Sequence, residues 1–356
     1  MANSLSLSTI VFLMPEVERS LPVRGINYDT GVNYAANELS RAFWHASAVE
    51  NDMEVIATEL GCTAVAILGT KLERVEEAAT LALGHHLDVW LQPRLIEGTW
   101  EESLELLGET ARIAEDLRTR HHASETLNVG CELSLFMKGI LPGKDFLWRM
   151  RGLMVYWLAM PVFNRRLNAY LQTAAQTARE YFNGPITYSA GEWEGVDWEP
   201  FDYVGVDYYR DRHNRLTYVD GLRKLASHGK PVVVTEFGCC SFEGAHKKGG
   251  AGFMIVNWRG DPPTVKAGFV RDEQVQADYI EELVDLYKEE GIHGAFLYAF
   301  SEPRNIHTEN PRTDLDMASY GLVKVVRGET ADEPEVWNEK LAFSRLAGAY
   351  GDSRNS

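Results

Sequence analysis

The chain has 356 residues, 45% of them hydrophobic and 24% charged, a balance that suits a soluble protein with one large core or two smaller ones. Lys and Arg total 35 against 52 Asp and Glu, giving a net charge of −17. That balance argues against a nucleic-acid or membrane partner, because neutralising phosphates calls for clustered Lys and Arg.

Met1 to Met14 has no basic leader, and its apolar run is too short for a secretory signal. No apolar run approaches the ~20 residues of a membrane span, so a cytoplasmic location is expected. Cys62, Cys131, Cys239 and Cys240 match no zinc-binding spacing and read as reduced thiols.

Along the chain one unit recurs: a short apolar strand, a loop, an amphipathic helix. Val23–Tyr28 reads as the first strand, and Glu38–Leu60 has helical pattern. Cys62–Leu68 is the second strand, Lys71–His86 the second helix, and Leu87–Pro93 the third strand. Thr99 with Glu102 is a capping box that opens a helix running to about Arg120. Thr126–Glu132 is the fourth strand and ends in a carboxylate. A long insertion follows, about 137–162, whose run Phe146–Met160 reads as a shelf over a site or as an ordinary packing helix. Arg165–Phe182 is the next helix, and Pro185–Ala190 the fifth strand.

The loop after it carries Trp193 and Trp198 among carboxylates, two rings suited to stacking on sugar faces. Tyr203–Arg210 holds the sixth strand, and Leu216–His228 a helix. Lys230–Gly238 contains a strand apolar enough to be buried on both faces, and it ends in Glu236. A loop expected to be mobile, about 239–262, separates it from the helix Asp272–Glu290. Ile292–Phe300 is the eighth strand, and Pro334 suits the first turn of a final helix.

Eight strands alternating with helices predict a single (β/α)8 barrel over residues 1–356. A doubly wound sheet is the fallback, but no Gly-rich dinucleotide fingerprint follows any strand. Catalytic groups of such barrels gather at the C-terminal ends of the strands. Glu132 and Glu236 both end strands, the fourth and the seventh, so the topology brings them to one mouth. Two carboxyls roughly 5–5.5 Å apart divide a glycosidic cleavage between attack and protonation. Crowding also raises the pKa of one of them, as a general acid requires.

This pair, with Thr235-Glu236-Phe237-Gly238 around the second member, resembles the superfamily of retaining glycoside hydrolases built on (β/α)8 barrels. The resemblance implies that Glu132 is the acid/base and Glu236 the nucleophile. It also implies an aromatic against the nucleophile after strand six, met by Tyr208 or Tyr209, and an aromatic floor at the end of strand eight, met by Tyr298 or Phe300. Tyr28, Arg94, Trp193 and Asp207 complete the candidate substrate-binding set. Neither a cofactor nor a metal is expected.

The stretch from Glu132 through Gly139 and Pro142-Gly143, with Asp314–Gly321, is similar to bacterial proteins labelled abortive-infection proteins, a label that fixes no chemistry. Two departures stand out. Cys131 replaces the Asn that usually precedes the acid/base, and strand two lacks the usual Arg, for which Arg24 or Arg94 is the available substitute. The outcomes left open are a glycosidase for a small glycoside or oligosaccharide, an acid/base cyclase or isomerase of a small metabolite, and a retired sugar-binding barrel.

Overall fold

The computed structural model describes residues 20–34, 38–122 and 124–351. The stretch Met1–Met14 lies outside the described residues. Strand β1 (Val23–Asp29) is followed by α1 (Ala46–Thr58), β2 (Ala64–Gly69), α2 (Leu72–Gly84), β3 (Asp88–Pro93), α3 (Trp100–His121) and β4 (Glu125–Cys131). The connection after β4 holds α4 (Leu133–Phe136), α5 (Phe146–Tyr156) and the start of α6 (Met160–Tyr181). Then come β5 (Ile186–Gly191), β6 (Val204–Asp207), α7 (Tyr218–Ala226) and β7 (Val232–Phe237). A short hairpin, β8 (Val256–Asn257) with β9 (Thr264–Val265), precedes α8 (Glu273–Glu289) and β10 (Gly294–Leu297). The chain closes with the antiparallel pair β11 (Val323–Arg327) and β12 (Val336–Glu339), then α9 (Leu341–Gly351).

Eight parallel strands close into a barrel in the order β1-β10-β7-β6-β5-β4-β3-β2. The architecture is a single (β/α)8 barrel, as the alternation of strands and helices predicts. Its lower interior is a packed plug. The Trp90 ring lies 4.9 Å from that of Phe296 and 5.3 Å from that of Tyr203. Gly25 makes room for this plug, since a Cβ there would stand 2.2 Å from the Phe296 ring. Above it the interior turns polar. Asn27 donates to the Thr235 carbonyl at 3.0 Å, and Gln92 and Asn128 both donate to the Ser189 hydroxyl. The outer apolar faces of the strands pack against the helices, as Ile26, Ile67 and Leu91 do with Ile56, Ala79 and Leu107 in one buried cluster.

Three sequence boundaries move. The helix expected from Glu38 begins at Ala46, because Arg41 is drawn into the barrel. Its guanidinium donates to the Asp29 carbonyl and Ser301 and pairs with Glu335 at 3.4 Å, which holds that segment out of helix. The helix expected from Arg165 begins at Met160, with Pro161 in its first turn and a 3-10 turn, Trp157–Ala159, joining it to α5. Pro334 belongs to no helix. It leads into β12, whose pairing with β11 delays the last helix to Leu341.

The segment after β7 forms 3-10 turns at Ala245–Lys247 and Gly249–Ile255 before the hairpin. The Tyr320 hydroxyl ties it down, donating to Gly249 O and accepting from Gly252 N, both at 2.9 Å. All four cysteines are free and buried. No helix among the described residues is long and apolar enough to cross a membrane.

Candidate active site

The C-terminal ends of the strands open into a cleft of about 660 Å³. Glu132, Glu236, Asp207, Arg94, Trp193, Tyr209 and Tyr298 all line it. β4 and β7 stand three places apart in the barrel, and so bring Glu132 and Glu236 to the same opening.

Glu236 is 7% exposed and held at both oxygens. Arg94 Nη2 donates to Oε1 at 2.5 Å, and the Tyr209 hydroxyl donates to Oε2 at 3.1 Å. Arg94 is itself aimed by β3: Nε donates to Gln92 Oε1 two residues earlier, on the same strand face. Nη1 donates to the Tyr34 hydroxyl at 3.2 Å, and the guanidinium lies 5.9 Å from the Tyr298 ring centre. Of the two arginines that sequence offers in place of the missing strand-two Arg, Arg94 holds Glu236. Arg24 sits near the opposite end, donating to the Gly61 carbonyl.

Glu132 lies one residue beyond β4 in left-handed backbone, φ 41° and ψ 43°. A non-glycine residue there costs on the order of 1 kcal/mol, set against fixed neighbours. Its N–H donates to the Ser189 carbonyl at 2.9 Å, and its own carbonyl accepts from Leu135 and Phe136 in the first turn of α4. Its carboxyl has no hydrogen-bond partner among the described residues. Burial raises the pKa of this carboxyl well above the ordinary range, and the charges of Asp207, Glu236 and Glu194 add to the effect.

Asp207 is a third carboxyl in the same cluster. It accepts from the Thr235 hydroxyl at 2.7 Å and from the Cys131 thiol at 3.2 Å. Burial, then the neighbouring Glu236 charge, pushes its pKa up as well. The sequence leaves Asp207 as either a site residue or a partner of Arg210; Arg210 pairs instead with Glu282 at 2.7 Å. One ligand atom each from Cys131, Asp207 and Glu236 lies within 4.8 Å of the others, close enough to share a cation. The Arg94 guanidinium, bonded to the same Glu236 oxygen, already supplies a positive charge there.

Three residues expected at the site lie elsewhere. Tyr28 points outward from β1, is fully buried and donates to Asp52 of α1 at 2.8 Å. Tyr208 also faces the helix layer, stacked on Tyr218 with centroids 4.3 Å apart. Strand alternation explains both, since Asn27 and Tyr209 take the inward positions. Trp198 packs edge-on against Phe201, away from the cleft. Trp193 stays at the mouth, its Nε1 donating to Ser134 Oγ at 2.9 Å.

Sequence reasoning missed Asp29, Tyr34 and Tyr320, which also line the cleft. Asp29 follows Asn27 at the two-residue spacing of an inward face, a signal present in the sequence.

No protein-family model matches the chain, and no curated protein matches it. Solved structures share its fold. A GH113 β-1,4-mannanase superposes with a TM-score of 0.58 at 13% identity, over 93% of this chain and 98% of that one. The GH113 β-mannanase AaManA from Alicyclobacillus acidocaldarius, solved in complex with ManMIm, gives 0.56 at 16% identity, over 94% and 99%. A GH2 β-galacturonidase from Eisenbergiella tayi bound to galacturonate gives 0.53 at 14% identity, over 94% of this chain and 52% of that one. At such identities the likeness is one of fold.

Proposed function

We propose that the protein is a retaining glycoside hydrolase acting on a small glycoside or oligosaccharide. One contrast carries the reading: Glu236 is fixed at both oxygens, while the Glu132 carboxyl has no hydrogen-bond partner among the described residues and is favoured in its protonated form. A nucleophile needs orientation and charge, and an acid needs a proton at working pH. Glu236 attacks the anomeric carbon as Glu132 gives its proton to the departing oxygen. Glu132, now ionised, takes a proton from water, which displaces Glu236 and restores both groups. The fold shared with the mannanases and the galacturonidase supports this assignment. The similarity to abortive-infection proteins expected from sequence fixes no chemistry and adds nothing to this reading.

The test is a panel of aryl glycosides followed by proton NMR of the first-formed sugar, with 2-deoxy-2-fluoro glycosides as traps. Retained configuration and an adduct on Glu236 are expected. Inversion, or an adduct elsewhere, overturns the assignment. A second reading, an acid/base enzyme for a small metabolite, draws on Asp207 as a third protonatable carboxyl and on Cys131 where the resemblance expects Asn. It predicts no turnover across the whole glycoside panel.

A further inference from the structure

Twelve large apolar residues are exposed among the described residues, and five of them fall within fifteen positions. Trp148, Val155, Trp157, Leu158 and Val162 are between 50% and 74% exposed. Trp148, Val155, Leu158 and Val162 follow one another at three-, four- and seven-residue steps, the spacing of one helix face, through α5, the 3-10 turn and the start of α6. Arg151 continues that row, and Arg165 and Arg166 extend it. All three arginines are exposed and in no ion pair among the described residues.

Local charge opposes the global one. Residues 133–178 carry six basic residues, Lys138, Lys144, Arg149, Arg151, Arg165 and Arg166, against one acid, Asp145, in a chain of net charge −17. Arg149 alone of the four arginines is buried, bonded to Glu97 at 2.7 Å, and it pins α5 to the barrel. Its helix is therefore held in place while its outer face stays exposed among the described residues. The opposite face lines the cleft through Phe146, Leu147, Met150 and Leu153. Trp258, itself 41% exposed, adds an apolar group from the loop after β7.

We infer that the outer face from Trp148 to Arg166 docks on an anionic bilayer. Apolar side chains enter the acyl boundary, indoles sit at the headgroup level, and arginines meet anionic headgroups, as an interfacial helix requires. The cleft side of the same helix is apolar as well. Resting on the hydrolase reading above, the substrate is then the sugar headgroup of a lipid, with its hydrocarbon against Phe146, Met150 and Leu153. Area burial alone does not choose a bilayer over a second copy of the chain. The unpaired arginines do, because two copies of this face would bring like charges together.

The experiment is vesicle co-sedimentation of the full chain with phosphatidylcholine alone and with added phosphatidylglycerol. Each arginine near an anionic surface contributes about a factor of five, so partitioning rises about a hundredfold on the anionic vesicles and collapses in high salt. Trp148→Ser/Val155→Ser/Leu158→Ser abolishes binding while turnover of a soluble aryl glycoside stays unchanged. Arg151→Glu/Arg165→Glu/Arg166→Glu removes the preference for anionic vesicles. Absence of binding by the unmodified chain overturns the inference. So does binding that survives the serine substitutions, or a dimer that those substitutions split. Glu236→Gln separates the two claims: it binds vesicles normally and turns over nothing. Vesicle binding without any glycosidase activity defeats the hydrolase reading alone; glycosidase activity without vesicle binding defeats the docking alone.

Discussion

Arg94 at the end of β3 and Glu236 on β7 form a buried ion pair, N to O 2.5 Å, with side chains 3% and 9% exposed. Truncating one partner of such a pair leaves a buried charge without compensation, at a cost of about 3–5 kcal/mol. Arg94→Met is expected to lower kcat/KM at least about a hundredfold and to lower the melting temperature measurably. Arg94→Lys keeps the charge but loses the forked reach to Gln92 and Tyr34, so intermediate values are expected. Steady-state kinetics and calorimetry on both variants check this, and an unchanged Arg94→Met enzyme would exclude a positioning role.

Tyr209 donates the second hydrogen bond to Glu236, and burial, then the adjacent carboxylate, keeps its phenol neutral as a donor. A hydrogen bond to a charged group contributes about 1.5–3 kcal/mol. Tyr209→Phe is expected to reduce kcat roughly 10- to 100-fold with KM little changed, since the bond orients the attacking group rather than the substrate. A rise in KM alone would reassign Tyr209 to substrate binding.

The raised pKa of Glu132 predicts which limb of the pH profile it controls. An acid must be protonated to act, so kcat/KM falls as pH rises through the raised pKa of Glu132. Burial raises it most, and the charges of Asp207 and Glu236 raise it further. Asp207→Asn removes a repulsive carboxylate and is expected to move the alkaline limb to lower pH. Glu132→Gln is expected to erase the limb for substrates with good leaving groups. A limb that stays in place in both variants assigns it to another residue.

The barrel and its two carboxylates were legible because each depends on local chemistry. Val232 to Val234 is buried on both faces as its unbroken apolar run predicts, and Glu236 ends it at the mouth. Thr99 and Glu102 form the reciprocal capping box that their spacing announces. Tyr28 and Tyr208 failed because aromatic character says nothing of strand parity, whereas Asp207 and Tyr209, two apart, share the inward face. Arg41 broke a helical pattern through contacts with Asp29, Ser301 and Glu335, residues up to 294 positions away, which no window of sequence contains. The basic, apolar face of α5 was hidden for a different reason: whole-chain charge averages over a segment of opposite sign.

Glu125, at the start of β4, is 1% exposed, and neither carboxyl oxygen has a hydrogen-bond partner among the described residues. Burial pushes its pKa from 4.5 up to about 8. The folded state therefore holds this proton more tightly than the unfolded chain. Its contribution to stability is greatest below pH about 4.5 and declines as pH rises towards 8. Glu125→Met fills similar volume without the charge, so the variant is expected to melt a few degrees higher at alkaline pH, with the gap closing under acid conditions. A gap independent of pH would assign the gain to packing.

Cys131 offers the last test, because it stands where the resemblance to retaining glycosidases places an asparagine for the sugar 2-hydroxyl. Its thiol is buried, with the nearest acceptor at Asp207 and Glu236 Oε1 at 3.8 Å. Burial raises its pKa well above the usual thiol range, so it remains a neutral, weak donor. An amide donor in its place strengthens in the transition state as charge develops on the sugar. Cys131→Asn is expected to raise kcat/KM several-fold on glycosides bearing a 2-hydroxyl and to leave the 2-deoxy analogues unchanged. Equal effects on both substrate series would mean that position 131 acts through Asp207, by altering the carboxyl cluster, rather than through contact with the sugar.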